Sequence, residues 1–191
     1  THLTNNEQIE KHRIVDLTYR QQLIRYDIGE KNIKPLELKK LKSGFDIIVI
    51  SDYNKGFITY DVAKYICEFY KDIPIFVDTK KKNLKCFSNC YIKINNMEYE
   101  LLEDYNKDCE LIVTLGGKGA LYNNQIYKTK KVEVYDVCGA GDVFLSALVY
   151  KFSMNKNIKS AIHTANRLAS YTVTKLGTYV LTKEDIHNLA N

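Results

Sequence analysis

Short apolar runs rich in β-branched residues alternate along this chain with stretches of helical spacing, and this rhythm constrains the fold more than any other feature. The strand-like runs occupy residues 45–50, 74–78, 90–94 and 110–115. Residues 60–70, between the first two runs, carry apolar side chains at helical intervals. Runs that are apolar throughout are typical of strands buried on both faces, and a helix between successive strands favours parallel pairing. The sequence therefore predicts an α/β fold with a mainly parallel sheet covered by helices.

The second half of the chain shows a different pattern. Short strands that would form a small antiparallel patch are predicted at residues 120–122, 125–128 and 131–135. Closing helices are predicted at residues 142–152, 158–174 and 183–190. Near the start, residues 19–27 fit an extended strand that the pattern does not assign to the main sheet. Because no repeat or low-complexity linker interrupts the chain, we expect residues 1–191 to form a single domain.

Composition excludes several classes of function. The 191 residues are 45% hydrophobic, which suits one globular domain with a full core. The 28 basic and 23 acidic residues are spread along the chain and the basic runs lack interleaved aromatics, so no nucleic-acid partner is expected. No apolar run reaches the ~20 residues of a membrane helix, so no membrane partner is expected either. Five irregularly spaced cysteines indicate reduced thiols in a cytoplasmic protein rather than a zinc site or a disulfide framework.

The most informative segment for function is residues 136–144, Asp-Val-Cys-Gly-Ala-Gly-Asp-Val-Phe. Glycines allow close approach of a ligand to the backbone, and the free N–H groups of the helix that follows make an anion site suited to phosphate. Asp142 would repel a phosphate unless it had a chemical task, and proton abstraction from an attacking hydroxyl is such a task. The alternative is a helix cap with a tight turn. The segment by itself leaves these two interpretations nearly even.

This segment resembles the C-terminal signature of the ribokinase-like, PfkB-type carbohydrate kinases, usually Asp-Thr-x-Gly-Ala-Gly-Asp-x-Phe. The resemblance implies a ribokinase-like three-layer sandwich and ATP-dependent phosphorylation of a sugar hydroxyl. It implies that Asp142 is the catalytic base and that the amides of Gly139, Ala140 and Gly141 hold the transferring phosphate. Val137 and Cys138 depart from the usual pattern, and a hydroxyl residue is often found at the position of Cys138.

Other segments resemble the same family in the same order. Asn95 and Glu98 match its Asn-x-x-Glu motif, which implies phosphate handling and Mg²⁺ bound through water at Glu98; the alternative is a helix cap. Residues 114–120 resemble a segment that lies along the nucleotide, with a hairpin turn as the alternative. Residues 78–80 resemble the family's Asp-Pro-Lys motif at the next strand end. Asn166 and residues 175–178 resemble the helix and loop that form the wall of the adenine pocket. The alternative for Asn166, a satisfied polar residue on a helix face, is nearly as well supported. The ATP contacts implied by the resemblance are Asn95, Thr114, Gly116, Gly119, Asp136, Asn166 and Lys80.

Two further segments narrow the resemblance to one branch of this kinase family. Residues 19–27 and 51–56 resemble the bacterial D-glycero-D-manno-heptose-7-phosphate kinases of the ADP-heptose pathway. The resemblance implies that Asp52 and Lys55 contact the substrate and that residues 13–30 form a lid or substrate-side strand. The alternative for residues 52–56 is an ordinary polar loop at a strand end, although ligands collect at strand ends in open α/β sheets.

The resemblance covers about residues 13–189 and lacks the early region with a Gly-Gly sugar-binding motif, so it represents the C-terminal two-thirds of such a kinase. Three explanations remain: a truncated chain, a natural fragment with a partner chain, or a degenerate protein that binds nucleotide without turnover. We expect a sugar or sugar-phosphate kinase that uses ATP and Mg²⁺, with a possible homodimer favoured by an exposed sheet edge. A non-catalytic nucleotide-binding subunit and a kinase for a non-sugar alcohol are the alternatives.

Overall fold

The computed structural model describes residues 1–5, 7–16, 18–19 and 21–189. The strands are β1 (Glu10–Asp16), β2 (Gln21–Ile28), β3 (Ile48–Asp52), β4 (Ile75–Thr79), β5 (Cys90–Asn95), β6 (Glu110–Thr114), β7 (Ala120–Tyr122) and β8 (Gln125–Tyr127). The helices are α1 (Tyr60–Phe69), α2 (Asn96–Glu100), α3 (Ala140–Asn155), α4 (Ile158–Thr172) and α5 (Lys183–Leu189). Within the described ranges, no helix combines the length and apolar character that crossing a bilayer requires.

Six strands form the main sheet in the order β3-β4-β5-β6-β7-β8. The first four are parallel, and β7 and β8 continue the sheet in antiparallel pairs. This arrangement confirms the predicted α/β fold with a mainly parallel sheet. β3 forms one border of the sheet, and the structure pairs it with β4 alone among the described strands.

Hydrophobic cores lie on both faces of the main sheet. Successive side chains of a strand point to opposite faces, and β4 is buried at all five positions. Val77 packs in one core with Ile66 of α1. Phe76 packs in the other core, where its ring centroid lies 5.1 Å from that of Phe152 in α3. Helices therefore cover both faces of β4, which explains why its sequence is apolar without alternation.

β1 and β2 form a separate two-stranded antiparallel sheet, which we call the ribbon. Ile14 pairs with Ile24, and the rings of His12 and Tyr26 stack with centroids 4.7 Å apart. Most ribbon side chains are exposed, including apolar ones. The strand predicted at residues 19–27 is observed from Gln21 onward, while Arg20 lies outside the described residues.

One predicted strand is absent, and several element boundaries differ from the sequence-based prediction by a few residues. The strand predicted at residues 131–135 is wrong, because this segment pairs with the end of a helix instead of with a strand: the amides of Tyr135 and Asp136 donate to the Val173 carbonyl at 2.8 and 3.3 Å. α3 begins at Ala140, ahead of the predicted start, because Gly139 adopts a left-handed conformation (φ 79°) that starts the helix. The closing helix ends at Leu189, and Ala190 lies outside the described residues.

Candidate active site

A cavity of about 500 Å³ opens where the carboxyl ends of β3 to β6 meet the N-terminus of α3. This edge of a parallel sheet is where ligands bind in open α/β folds. The lining residues are Ser51, Asp52, Tyr53, Asp78, Lys80, Lys93, Asn95, Asn96, Met97, Thr114, Gly116, Val137, Gly141 and Asp142. The cavity therefore collects residues that are distant in sequence but share one edge of the sheet.

The glycine-rich turn places the start of α3 against this cavity. Gly139 is the residue before the helix, and the Thr178 methyl group lies 3.1 Å from where a Cβ on Gly139 would stand. The Ala140 amide donates to the Val137 carbonyl at 3.2 Å. Asp142, in the first helical turn, is exposed and lines the cavity. The positive end of the helix dipole and a carboxylate thus face the same space.

Tyr53 is a cavity residue that sequence reasoning did not single out. Burial raises the pKa of its hydroxyl, and the negative charges of Asp142 and Asp78 raise it further. The Lys11 ammonium of the ribbon lies 4.0 Å from the Tyr53 ring centroid. Tyr53 therefore touches the ribbon and lies close to the Asp142 carboxylate.

A buried ion pair forms the floor of the cavity. Lys93 Nζ lies 2.7 Å from Asp78 Oδ2, and both side chains are almost fully buried. Burial raises the pKa of Asp78, while the charge and hydrogen bond of Lys93 act in the opposite direction. Sequence reasoning missed Lys93 and gave Asp78 no role of its own. The available signal was a lysine between two isoleucines in an otherwise apolar strand.

The Asn95 and Glu98 side chains form a capping box at the start of α2. Asn95 Oδ1 accepts from the Glu98 amide at 2.9 Å, and Glu98 Oε2 accepts from the Asn95 amide at 2.8 Å. Glu98 Oε1 also accepts from Lys80 Nζ. Burial would lower the pKa of Lys80, but the Glu98 hydrogen bond and the charges of Asp78 and Glu98 raise it overall. The predicted cap is present, and it fixes the Asn95 and Lys80 side chains at the cavity wall.

The segment after β6 contributes Thr114 and Gly116 to the cavity. Thr114 Oγ1 donates to the Ile94 carbonyl at 3.3 Å. Gly119 is buried away from the cavity lining with φ 100°, and a Cβ there would stand 2.0 Å from the Tyr127 carbonyl oxygen. Gly119 therefore shapes the β6–β7 turn, whereas Thr114 and Gly116 face the cavity.

The Asp52 carboxylate is occupied by protein contacts. It lies 2.9 Å from Lys81 Nζ and accepts from Thr79 Oγ1 and the Asn54 amide, each at 2.8 Å. Asp52 and Lys81 are both buried, so this pair holds the loop after β3 in place. A second cavity of about 270 Å³ lies beside it.

Lys55 lines that second cavity and binds Glu30, at the end of the ribbon, at 2.6 Å. The structure therefore brings Lys55 to the ribbon side of the molecule, next to the loop that Asp52 holds. Asp52 borders both cavities.

Besides Gly119, the predicted nucleotide contacts Asn166 and Asp136 do not line the main cavity. Asn166 is buried on α4, and its Nδ2 donates to the Tyr127 carbonyl at 2.7 Å. Asp136 Oδ1 accepts from the Cys138 amide at 2.8 Å and so stabilises the glycine-rich turn. Thr178 Oγ1 donates to Cys138 Sγ at 3.3 Å, which brings the loop around Thr178 against the same turn.

Comparisons with known proteins agree with this geometry. Residues 93–185 match the pfkB family carbohydrate kinase model. The chain is 32% identical over 212 residues to the "Bifunctional protein HldE" of Nitratiruptor sp., covering 95% of this chain and 45% of that protein. The protein of the same name from Campylobacter jejuni is 31% identical over 209 residues, covering 93% of this chain and 45% of that protein. The chain thus spans less than half the length of these curated relatives.

Solved structures confirm the fold. The ribokinase of Thermotoga maritima gives a TM-score of 0.68 at 19% identity, covering 95% of this chain and 69% of that one. Phosphofructokinase-2 of Escherichia coli, solved with substrates and products, gives a TM-score of 0.68 at 17% identity, covering 93% of this chain and 68% of that one. These matches show a ribokinase-like α/β fold. Within that fold, residues 93–185 match the pfkB family of carbohydrate kinases, the family whose motifs the sequence resembles.

Proposed function

We propose that this chain is the ATP-binding, phosphoryl-transferring part of a kinase that acts on a hydroxyl of a sugar or sugar phosphate, with a heptose 7-phosphate-like substrate. The observation that carries the proposal is the exposed Asp142 carboxylate in the first turn of α3, at the wall of a cavity of about 500 Å³. The pfkB family match and the relatives named HldE support it.

In this mechanism the glycine-rich turn and the start of α3 bind the transferring phosphate with the amides of Gly139, Ala140 and Gly141, and the Ala140 amide exchanges its bond to the Val137 carbonyl for the phosphate. Asp142 accepts the proton of the sugar hydroxyl as its oxygen attacks the terminal phosphorus of ATP, and the bond from that phosphorus to the bridging oxygen of ADP breaks. The helix N-terminus stabilises the negative charge that develops on the transferred group. A carboxylate beside a phosphate site thus has a chemical role that a simple cap lacks.

The donor set around the cavity is compatible with Mg²⁺ held through water. Among the described residues, no group of three or more His, Cys, Asp and Glu side chains is placed to ligate a metal directly. Single carboxylates line the cavity at Asp52, Asp78 and Asp142, and Glu98 lies outside the lining, where it accepts from the Asn95 amide and Lys80. Mg²⁺ keeps several of its own waters and binds through one or two carboxylates and the substrate phosphates, so Glu98 could hold it through water. The ion would supply neutralisation of phosphate charge.

Four of the proposed nucleotide contacts, Lys80, Asn95, Thr114 and Gly116, share the cavity with Asp142, which supports a common ligand. We assign Gly119 and Asp136 to shaping the turns that carry these contacts. The Asn166 contact with adenine remains a prediction, because its amide is bonded to the Tyr127 carbonyl.

On the substrate side, we propose that Lys55 contacts the sugar phosphate from the second cavity. Asp52 would act through the loop it holds, since its carboxylate is bound to Lys81. The Glu30 partner of Lys55 lies at the end of the ribbon, in keeping with the proposed lid role of residues 13–30.

The exposed apolar residues of the ribbon also favour pairing of two copies, which equilibrium sedimentation at rising concentration would test. We place the protein in the cytoplasm, where its five free cysteines would stay reduced.

A second candidate is a nucleotide-binding subunit without turnover. The sheet border at β3 favours it, because the open side of that strand can pair with another polypeptide. Phosphotransfer, as distinct from nucleotide binding, separates the two candidates.

The test combines the purified chain with ATP, Mg²⁺ and a panel of sugars and sugar phosphates that includes heptose 7-phosphate. It is run alone and with the part of the Nitratiruptor relative that this chain does not match. We expect sugar-dependent ADP release and a phosphorylated sugar by mass spectrometry. Asp142→Asn should lower turnover by roughly 10²–10⁴-fold with little change in ATP affinity.

Asp61→Asn is the matched control, because Asp61 is an exposed carboxylate in the first turn of α1, outside the cavity. It should leave turnover unchanged. Full activity of Asp142→Asn would remove this residue from the base role. ATP binding without transfer in every combination would favour the subunit, and the absence of both would contradict the proposal.

A further inference from the structure

Three cysteine side chains meet in the core at the amino-terminal edge of the main sheet. Cys67 lies near the end of α1, Cys90 is the first residue of β5, and Cys109 directly precedes β6. All three thiols are free and buried, and they pack in the same hydrophobic core. The candidate active site lies at the opposite edge, where the parallel strands end. This thiol cluster therefore lies apart from the cavity and has no role in the proposed reaction.

The sulfur atoms of Cys67 and Cys90 are already in contact, at 3.4 Å. This distance exceeds the bond length of a disulfide by only about 1.4 Å, which small side-chain rotations can close. Cys90 Sγ donates to the Ser88 carbonyl at 3.0 Å, and Cys109 Sγ donates to the Phe87 carbonyl at 3.4 Å. The backbone ahead of β5 thus holds two of the sulfurs in place beside the third.

The three thiols differ in their tendency to ionise. Hydrogen bonding with Cys109 and Cys67, together with burial, raises the pKa of Cys90. Hydrogen bonding with Cys90 lowers the pKa of Cys67 and that of Cys109, and outweighs the opposing effect of burial. Thiolates, rather than thiols, react with peroxides. Cys67 therefore has the character of an attacking thiolate, and Cys90 is a protonated thiol within reach of it.

We propose that Cys67 and Cys90 are a site of reversible oxidation, at which hydrogen peroxide converts the two thiols into a disulfide. The Cys67 thiolate attacks one peroxide oxygen, and the O–O bond breaks. Cys67 becomes a sulfenic acid, and the other oxygen leaves as hydroxide, which takes a proton from solvent. The Cys90 sulfur then attacks the sulfenic sulfur, and the S–S bond forms as the S–O bond breaks. The sulfenic oxygen leaves as water with the Cys90 proton, so two thiols lose two electrons and one peroxide gains them.

The bond would close residues 67–90 into a covalent loop that contains all of β4. Such a cross-link stabilises a fold by restricting the unfolded chain. Because both cysteines lie at the edge away from the cavity, the oxidised protein should keep its cavity unchanged. Disulfides of cytoplasmic proteins are usually transient, and a bond that forms only in the presence of a peroxide agrees with thiols that are otherwise reduced. The inference is independent of the proposed function, because it uses no residue of the cavity.

The experiment treats the folded chain with hydrogen peroxide in slight excess, blocks the remaining thiols with iodoacetamide and maps tryptic peptides by mass spectrometry without reduction. Cys67 falls in the peptide of residues 65–71, Cys90 in that of residues 86–93, and Cys109 in that of residues 108–118. We expect the first two peptides to be joined, with the loss of two hydrogen atoms. Dithiothreitol should separate them again.

Variants test the assignment of the two sulfurs. Cys67→Ser and Cys90→Ser should each abolish the link. Cys86→Ser is the matched control, since it removes the other cysteine of the same tryptic peptide, whose pKa burial raises to about 11. The link should form in that variant as in the parent chain. Oxidation of the parent chain should raise its midpoint of thermal unfolding by roughly 5–10 °C, and dithiothreitol should reverse the rise.

The outcomes separate a reactive pair from ordinary core thiols. Thiols that survive the peroxide, sulfinic acid without a cross-link, or a link that forms only in urea would each overturn the proposal. A bond between Cys90 and Cys109 in the parent chain would remove Cys67 from its role. A midpoint that stays constant or falls on oxidation would contradict the stabilising effect of the closed loop.

Discussion

The ribbon and the main sheet use similar apolar residues but bury them very differently. Phe76 of β4 is fully buried, whereas Ile24 of β2 is 55% exposed. Layers of helix cover both faces of β4, whereas most ribbon side chains stay exposed and the ribbon meets the main sheet through contacts such as Lys11 with Tyr53. Apolar side chains stabilise a strand when a second layer removes them from water. The core strands of the main sheet therefore gain stability from burial that the ribbon strands lack.

Charged pairs show the same contrast. The pairs Asp52–Lys81 and Asp78–Lys93 of the main sheet are buried. The ribbon pair Arg25–Asp27 is exposed to solvent, although its hydrogen bond raises the pKa of Arg25 and lowers that of Asp27. Screening by water leaves such exposed pairs with little effect on stability.

A matched pair of apolar truncations should give the largest difference. Phe76→Ala should lower the free energy of unfolding by about 3–5 kcal/mol, because it leaves a cavity in a packed core. Ile24→Ala in the ribbon should change it by less than about 0.5 kcal/mol. Urea denaturation followed by circular dichroism measures both. Similar losses of unfolding free energy for the two variants would contradict this difference between the main sheet and the ribbon, and would indicate that the ribbon is covered in solution.

Breaking one ion pair in each region should give the next largest difference. Lys81→Met leaves Asp52 buried without its cation and should cost about 3 kcal/mol. Lys55→Met removes the partly exposed contact with Glu30 and should cost about 0–1 kcal/mol. Equilibrium unfolding measures both, and adding Asp52→Asn to Lys81→Met should recover part of the loss. No recovery would mean that Lys81 stabilises the loop through its other contacts, such as the Ile58 carbonyl at 2.6 Å.

Two glycine substitutions should give a smaller difference in stability between the main sheet and the ribbon. A Cβ on Gly119 would stand 2.0 Å from the Tyr127 carbonyl, and one on Gly29 would stand 2.1 Å from the Gln8 carbonyl, both at positive φ. Gly119→Ala strains a turn inside the main sheet and should cost about 1–3 kcal/mol. Gly29→Ala should cost less, because the end of the ribbon can shift into solvent. Thermal unfolding distinguishes them, and equal losses would show that the ribbon end is as fixed as the sheet.

Sequence reasoning succeeded where local pattern decides structure. Four parallel strands followed from apolar runs, and the position of Asp142 at a helix start followed from the glycine-rich turn. The failures have physical reasons. β1 was missed because four charged or polar residues precede its two adjacent apolar ones, so it shows no alternation, and most of its side chains are exposed. Lys93 and its contact with Gly141 were missed because that contact joins residues 48 positions apart, and only the folded sheet brings them together.

The border strand β3 has a practical consequence. Its outer main-chain groups face away from β4, and Val49 is half exposed there. A parallel strand with such a side open can recruit another polypeptide by main-chain hydrogen bonds alone. A purified sample should therefore aggregate faster as its protein concentration rises. Temperature should affect the aggregation rate less, as long as it stays below the melting point. Dilute storage, or addition of a polypeptide that covers β3, is the handling condition that this architecture favours.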